Sequence, residues 1–109
     1  LQIFEGFMDF LSWQTLNPSS TCDTIVLNSL ALLPRIQEKI KSYKQVESFL
    51  DNDDAGRKSF EVLKQFCPSI IDGSIRYRTH KDLNEWLVFQ SKVQESQPSL
   101  PTTKRGIRR

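Results

Sequence analysis

Histidine and cysteine are nearly missing from this chain, and their scarcity removes whole classes of chemistry. One His, His80, and two Cys, Cys22 and Cys67, cannot assemble a zinc site of the Cys/His type. A Cys–His nucleophilic pair could be built only from Cys67 or Cys22 with His80, and Lys64 is the one basic residue near Cys67 in sequence. A disulfide between the two cysteines is open to them, but reduced thiols are the expectation for a cytoplasmic protein. Glycine is sparse as well, at four residues, and neither GxxxxGK[ST] nor GxGxxG occurs. No apolar run approaches the ~20 residues of a membrane span. An excess of one charge is also lacking: fifteen Lys and Arg face thirteen Asp and Glu, for a net +2. Four of those cations, Lys104, Arg105, Arg108 and Arg109, fall in the last six residues. Residues 1–103 therefore hold 11 basic and 13 acidic side chains, a net −2. A uniformly basic nucleic-acid binder is excluded, and any basic footprint must be local.

What the chain does have is enough apolar material for one core. Leu, Ile, Val and Phe make up 32 of the 109 residues, well above the ~20% below which charged chains stay disordered. The chain opens on Leu1 and an apolar run, with no initiator Met or polar lead-in, so it reads as a segment of a longer protein.

Apolar runs and helical spacings alternate along it. Leu1 to Phe4 reads as a strand closed by Glu5-Gly6. Residues 7–16 form a mostly apolar helix stopped by Asn17-Pro18. Thr24 to Leu27 is a second strand whose unbroken apolar character suits a parallel sheet. Leu33, Ile36, Ile40 and Tyr43 predict a helix over 32–44, with Pro34 in its first turn. Residues 45–50 make a third strand, and Asp53 or Asp54 suits the cap of a helix running to about Phe66. A fourth strand lies within 71–77 and a fourth helix over 81–93. The tryptophans and phenylalanines fall at core spacings, which predicts packing rather than a base-stacking platform. From Gln94 onward Ser, Gln, Pro, Thr and basic residues predict a flexible basic tail, so the folded domain is expected over 1–93 and the tail over 94–109. The β-α-β-α-β-α-β-α order implies an α/β fold with a mostly parallel four-stranded sheet. Such sheets bind ligands beyond the carboxyl ends of their strands.

That edge collects carboxylates. Glu5 follows strand one, with Asp9 one helical turn later; Asp51, Asp53 and Asp54 follow strand three; Lys81-Asp82 follows strand four. Clustered carboxylates repel and raise one another's pKa. A hard dication relieves this and keeps waters for substrate phosphates. Asp51 and Asp53, two apart, leave an extended segment on one side. Structural roles compete with this. Asp53 or Asp54 suits a helix cap, Asp82 with Glu85 makes a capping-box pattern, Asp9 suits a solvated helix position, and Asn28-Ser29 suits a helix lead-in. A calcium loop starting at Asp51 fails, because Ala55 and Val62 stand where ligands are needed. Glu5 alone has no evident structural purpose.

Glu5-Gly6-Phe7-Met8-Asp9 resembles the EGxxD segment of TOPRIM domains. Asp51-Asn52-Asp53-Asp54-Ala55-Gly56-Arg57-Lys58 resembles their DxDxAGxK/R segment, and the β-α-β gap of about 45 residues between them is similar too. The combination is most similar to bacterial DNA primases. Leu27-Asn28-Ser29 and Lys81 to Leu87 are similar to segments of primase-like proteins of plasmids, phages and mobile elements, including those of Bacteroides-type bacteria. The resemblance covers about residues 2–90. It implies a Rossmann-like TOPRIM fold, Mg²⁺ or Mn²⁺ dependence, and synthesis of RNA primers on single-stranded DNA in the cytoplasm, in mobile-element replication or mobilisation. By position it implies Asp51 and Asp53 as metal ligands and Glu5 as general acid/base or a further ligand. Asp9 and Asp82 become outer members of the acidic cluster. Asp54 stands where many primases carry another residue and is expected to cap. Arg57 and Lys58, with Lys81, are candidates for phosphate contact. The implied partners are a single-stranded DNA template, nucleoside triphosphates and a helicase or other replication protein. The zinc module and basic subdomain of replicative primases are not in these residues, so poor priming by the segment alone is expected. A TOPRIM nuclease, a topoisomerase-like enzyme and a non-catalytic docking module share the same motifs. The topoisomerase alternative needs a nucleophilic Tyr, and Tyr43 and Tyr77 fall at core-like places.

Overall fold

A computed structural model of the chain describes residues 1–96. Four strands, β1 (Gln2–Phe4), β2 (Thr24–Val26), β3 (Glu47–Phe49) and β4 (Ile71–Asp72), form one sheet in the order β2-β1-β3-β4. All three neighbouring pairs are parallel. The connections contain α1 (Phe7–Leu16), α2 (Gln37–Lys41) and α3 (Asp54–Phe66), and α4 (Leu83–Ser96) follows the sheet. Two 3₁₀ helices, Leu30–Ile36 and Gly73–Tyr77, complete the set. This is the expected Rossmann-like α/β arrangement.

Strand alternation divides the core into two layers. Ile3 joins Leu27, Leu33, Ile40, Val46, Leu50 and Leu63 on one side of the sheet. Its neighbour Phe4 joins Phe49, Tyr77 and Leu83 on the other. The first layer is covered by α3 with α2 and the 30–36 segment, the second by α1 packed on α4. Phe4 and Phe49 stack at 4.7 Å. Tyr77 is buried against them and donates its hydroxyl to the Leu50 carbonyl at 2.8 Å. Cys22 and Cys67 are free thiols.

Several local expectations change. The predicted 32–44 helix is two pieces, a 3₁₀ helix to Ile36 and a single α-helical turn and a half from Gln37 to Lys41. Pro34 lies inside the first piece, where its missing N–H and ring disfavour regular α pairing. The fourth strand is only Ile71–Asp72, because Gly73 turns the chain against β3; a Cβ on Gly73 would sit 2.7 Å from the Phe49 ring and the Ser48 carbonyl. Helix α4 starts at Leu83 rather than Lys81, since Asp82 caps it, and runs to Ser96, past the expected boundary at 93. Residues 97–109, most of the expected basic tail, lie outside the described residues. Phe7 and Phe89 are about half exposed, so not every aromatic packs as its spacing predicted. Helix α1 instead buries two polar residues, Asp9 and Ser12. No helix among the described residues is long and apolar enough to cross a membrane.

Candidate active site

β1 and β3 are neighbours, yet their onward connections lead to opposite edges of the sheet: β1 to β2 on one side, β3 to β4 on the other. The two chains diverge at their carboxyl ends and leave a crevice there, the usual ligand position in an open parallel sheet. Glu5 leaves β1 at this point and Asp51 leaves just beyond β3.

Glu5 ties three strands together. Its N–H donates to the Phe49 carbonyl (3.2 Å) and its carbonyl accepts from the Asn28 N–H (2.8 Å). Its side-chain Oε1 accepts from the Asp51 N–H (2.9 Å). The residue that had no evident structural purpose thus has one, and Oε2 is left for other partners. Asn28 carries a φ of +59°. Asn tolerates this left-handed geometry better than most residues, and it lets the backbone turn back onto Glu5.

Asp9 is not a solvated helix residue. It is 6% exposed, and its Oδ1 accepts from the Asn84 N–H at 3.1 Å. The Ser12 hydroxyl is shared between the Met8 carbonyl (2.9 Å) and Asn84 Oδ1 (3.0 Å). Asp82 Oδ1 accepts from the Glu85 N–H at 2.7 Å, one half of the expected capping box. Two carboxylates therefore serve the otherwise unpaired N–H groups at the start of α4, where the helix dipole also favours negative charge.

The cap of α3 is Asp53, not Asp54. Asp53 Oδ1 accepts from the Gly56 N–H at 2.7 Å. Asp54 is the first helical residue and pairs with Arg57 at 2.8 Å in solvent. Gly56 must be glycine, because a Cβ there would stand 2.0 Å from the Asp51 carbonyl oxygen. The close approach lets α3 start directly behind Asp51.

Asn52 was not singled out in the sequence, yet it holds the fourth corner of the site. Its Nδ2 faces the carbonyls of His80 (2.9 Å), Tyr77 (3.1 Å) and Ser74 (3.4 Å). Its backbone N–H donates to the Lys81 carbonyl at 2.6 Å. These bonds bring the segment ending in Asp82 alongside Asp51.

The electrostatics register the convergence. Burial pushes the Asp51 carboxyl up to about 7, and the charges of Glu5, Asp9, Asp82 and Asp53 add to the rise. Burial pushes Asp9 up to about 6; the Asn84 N–H opposes this, while Asp82 and Glu5 reinforce it. The structure thus brings Glu5, Asp9, Asp53 and Asp82 close enough for their charges to act on Asp51. Among the described residues, no three carboxylates, His or Cys stand close enough to hold a metal ion by themselves. Of the phosphate candidates, Arg57 is engaged by Asp54, and Lys58 and Lys81 are exposed.

A family model described as Toprim-like matches residues 2–87. The chain belongs to the Toprim-like family. No curated protein and no solved structure matches it. A Toprim-like domain belongs to metal-dependent processing of nucleic acid, in enzymes that include primases, nucleases and topoisomerases. The donor set of this Toprim-like chain fits such a metal in kind. Its donors are all carboxylate oxygens, as Mg²⁺ prefers, and Mg²⁺ retains several waters rather than requiring an all-protein cage. Like charges that raise one another's pKa are what a dication would relieve.

Proposed function

We propose that the acidic edge is the catalytic centre of a DNA primase-type nucleotidyltransferase. It joins ribonucleotides on a single-stranded DNA template in the cytoplasm, in the replication or mobilisation of a mobile element. The observation that supports this most is the meeting of Glu5 and Asp51 at the sheet's switch point, with Asp9 and Asp82 near enough to raise the Asp51 pKa. Asp51, Asp53 and Glu5 would hold Mg²⁺ or Mn²⁺, with Asp9 and Asp82 as outer members. When bound, the metal neutralises phosphate charge and lowers the barrier to attack by a 3′-hydroxyl.

The chain's own residues then have distinct tasks. In the reaction, the primer 3′-oxygen bonds to the α-phosphorus of the incoming triphosphate, and pyrophosphate leaves. Glu5 is fixed through Oε1 by the Asp51 N–H, so its other oxygen can accept the 3′-hydroxyl proton or take a place at the metal. Asn52 sets the spacing between Asp51 and Asp82. Lys58 and Lys81 are exposed cations beside this edge in sequence, suited to phosphate contact. Residues 1–103 carry a net −2, so a template would meet this edge through the metal and local cations rather than through a broad basic surface. A single-stranded DNA template, nucleoside triphosphates and a helicase or another replication protein are the proposed partners.

Primer synthesis on a single-stranded DNA template tests the proposal. With Asp51→Asn and Asp53→Asn together, incorporation of labelled ribonucleotide should fall to background. Undiminished synthesis would sink it. Nicking of supercoiled DNA with Mn²⁺, abolished by the same pair, would instead select the nuclease reading.

A further inference from the structure

Asp51 has a second side. Away from Asp9 and Asp82, it forms one end of an open cleft of about 420 Å³ between α3 and the segment after β4. Leu50 and Phe60 give this cleft an apolar floor, and Arg57, Glu61, Asp72 and Ser74 form its rim. The volume falls in the ~300–1,000 Å³ range of small-molecule sites.

The lining excludes simple occupants. A bare anion would meet three carboxylates and one guanidinium. A bare cation would sit over Phe60 and Leu50, and no three carboxylates here are close enough to hold it. A wholly apolar ligand would strand the charged rim. What matches is a flat, partly apolar body that carries hydroxyl donors and ends in phosphate. Phe60 is half-buried and supplies a surface for such a body. Arg57 is held at the rim by Asp54. Asp72 Oδ1 is already occupied by the Ser74 N–H (3.0 Å) and hydroxyl (2.6 Å). The Glu61 side chain is exposed and has no hydrogen bond or ion pair among the described residues. It is a free acceptor on the rim, away from the acidic edge.

We propose that this cleft receives the nucleoside part of the nucleotide whose phosphates lie at the acidic edge, with Glu61 accepting hydrogen bonds from its ribose hydroxyls. This rests on the function proposed above. It adds a place for the sugar and base, and a residue that distinguishes ribose from deoxyribose. A site built to hydrogen-bond a hydroxyl discriminates against the analogue that lacks it. Glu61 lies on the outer side of α3, one turn beyond Arg57, so its replacement by Ala leaves the helix intact.

Binding to the 109-residue chain, measured by calorimetry with Mg²⁺ present, tests this with three probes: tripolyphosphate, ATP and dATP. ATP should bind at least fivefold tighter than dATP and than tripolyphosphate. Glu61→Ala should remove the advantage of ATP over dATP and leave tripolyphosphate unchanged. A tetraribonucleotide separates a free nucleotide from a chain end: binding weakened by Glu61→Ala supports the cleft from either source, and the tighter ligand names the source. ATP binding no tighter than tripolyphosphate, or an ATP-to-dATP ratio unmoved by Glu61→Ala, would overturn the cleft assignment. Failure of the underlying reading looks different: tripolyphosphate would then bind equally well to the native chain and to Asp51→Asn.

Discussion

Asp51 carries the largest electrostatic cost among the residues described. Its carboxyl is raised to about 7 in the folded chain, against about 3.9 for an exposed Asp. The folded state therefore holds a proton that the unfolded state releases. The associated stability is complete below about pH 4 and is lost as pH rises toward 7. Asp9, raised to about 6, adds to the same trend at lower pH. In chelator, the melting temperature of the native chain should fall between pH 5 and pH 8. Asp51→Asn should flatten that fall and raise the melting temperature at pH 8, and Mg²⁺ should restore the native chain most at the same pH. A melting temperature independent of both pH and substitution would contradict the clustering. Asn52 makes the opposite contribution. Removing its side chain takes the shared amide donor from the carbonyls of Ser74, Tyr77 and His80, of which Tyr77 keeps the His80 N–H, at a net ~0.5–1.5 kcal/mol for each hydrogen bond. Asn52→Ala should lower the urea-derived stability by about 2–3 kcal/mol. Asn52→Asp should cost more, because it points an acceptor at those carbonyls and adds a charge to the cluster.

The elements show which parts of this arrangement the sequence discloses. Apolar runs and helical spacing reveal the four strands and the four helical regions: central β1 is buried at all three positions, and edge strand β2, only partly buried, keeps an apolar run of its own. Parallel order then forces Glu5 and Asp51 to one edge, so their meeting is legible before any coordinates. The break at Ile36 is not legible, because 3₁₀ and α helices share nearly the same apolar spacing. The choice between Asp53 and Asp54 as cap depends on one backbone turn, which spacing does not fix. Asn52 is not legible for a related reason. Its side chain acts on backbone carbonyls 22 to 28 residues away, those of Ser74, Tyr77 and His80. The cap of α3 gives a prediction at this scale. Asp53→Asn should keep the stability of the native chain, since Asn caps as well as Asp, while Asp53→Ala should cost about 1 kcal/mol. Equal losses in the two would contradict the cap. Gly56→Ala, placing a methyl on the Asp51 carbonyl, should exceed the ~1–3 kcal/mol of ordinary overpacking.

At the scale of the molecule, one sheet separates two apolar layers and gathers its charge along one rim. The near-neutral net charge conceals this, since the four cations of the last six residues offset an acidic remainder. Asp9 and Asp82 bond the start of α4, Asp53 bonds the start of α3, and Glu5 bonds the end of β3. The same carboxylates that close the fold therefore line the proposed centre, and each gives only part of its oxygen to the protein. Folding and cation binding become linked: a dication that binds only the folded state stabilises it in proportion to RT ln(1 + [L]/Kd). Titration of the native chain with Mn²⁺, followed by the loss of its free-ion electron paramagnetic signal, tests this most directly. The native chain should take up Mn²⁺ saturably, and Asp51→Asn with Asp53→Asn should weaken binding at least tenfold while the chain stays folded. Equal Mn²⁺ uptake by the native chain and the folded double variant would contradict the account.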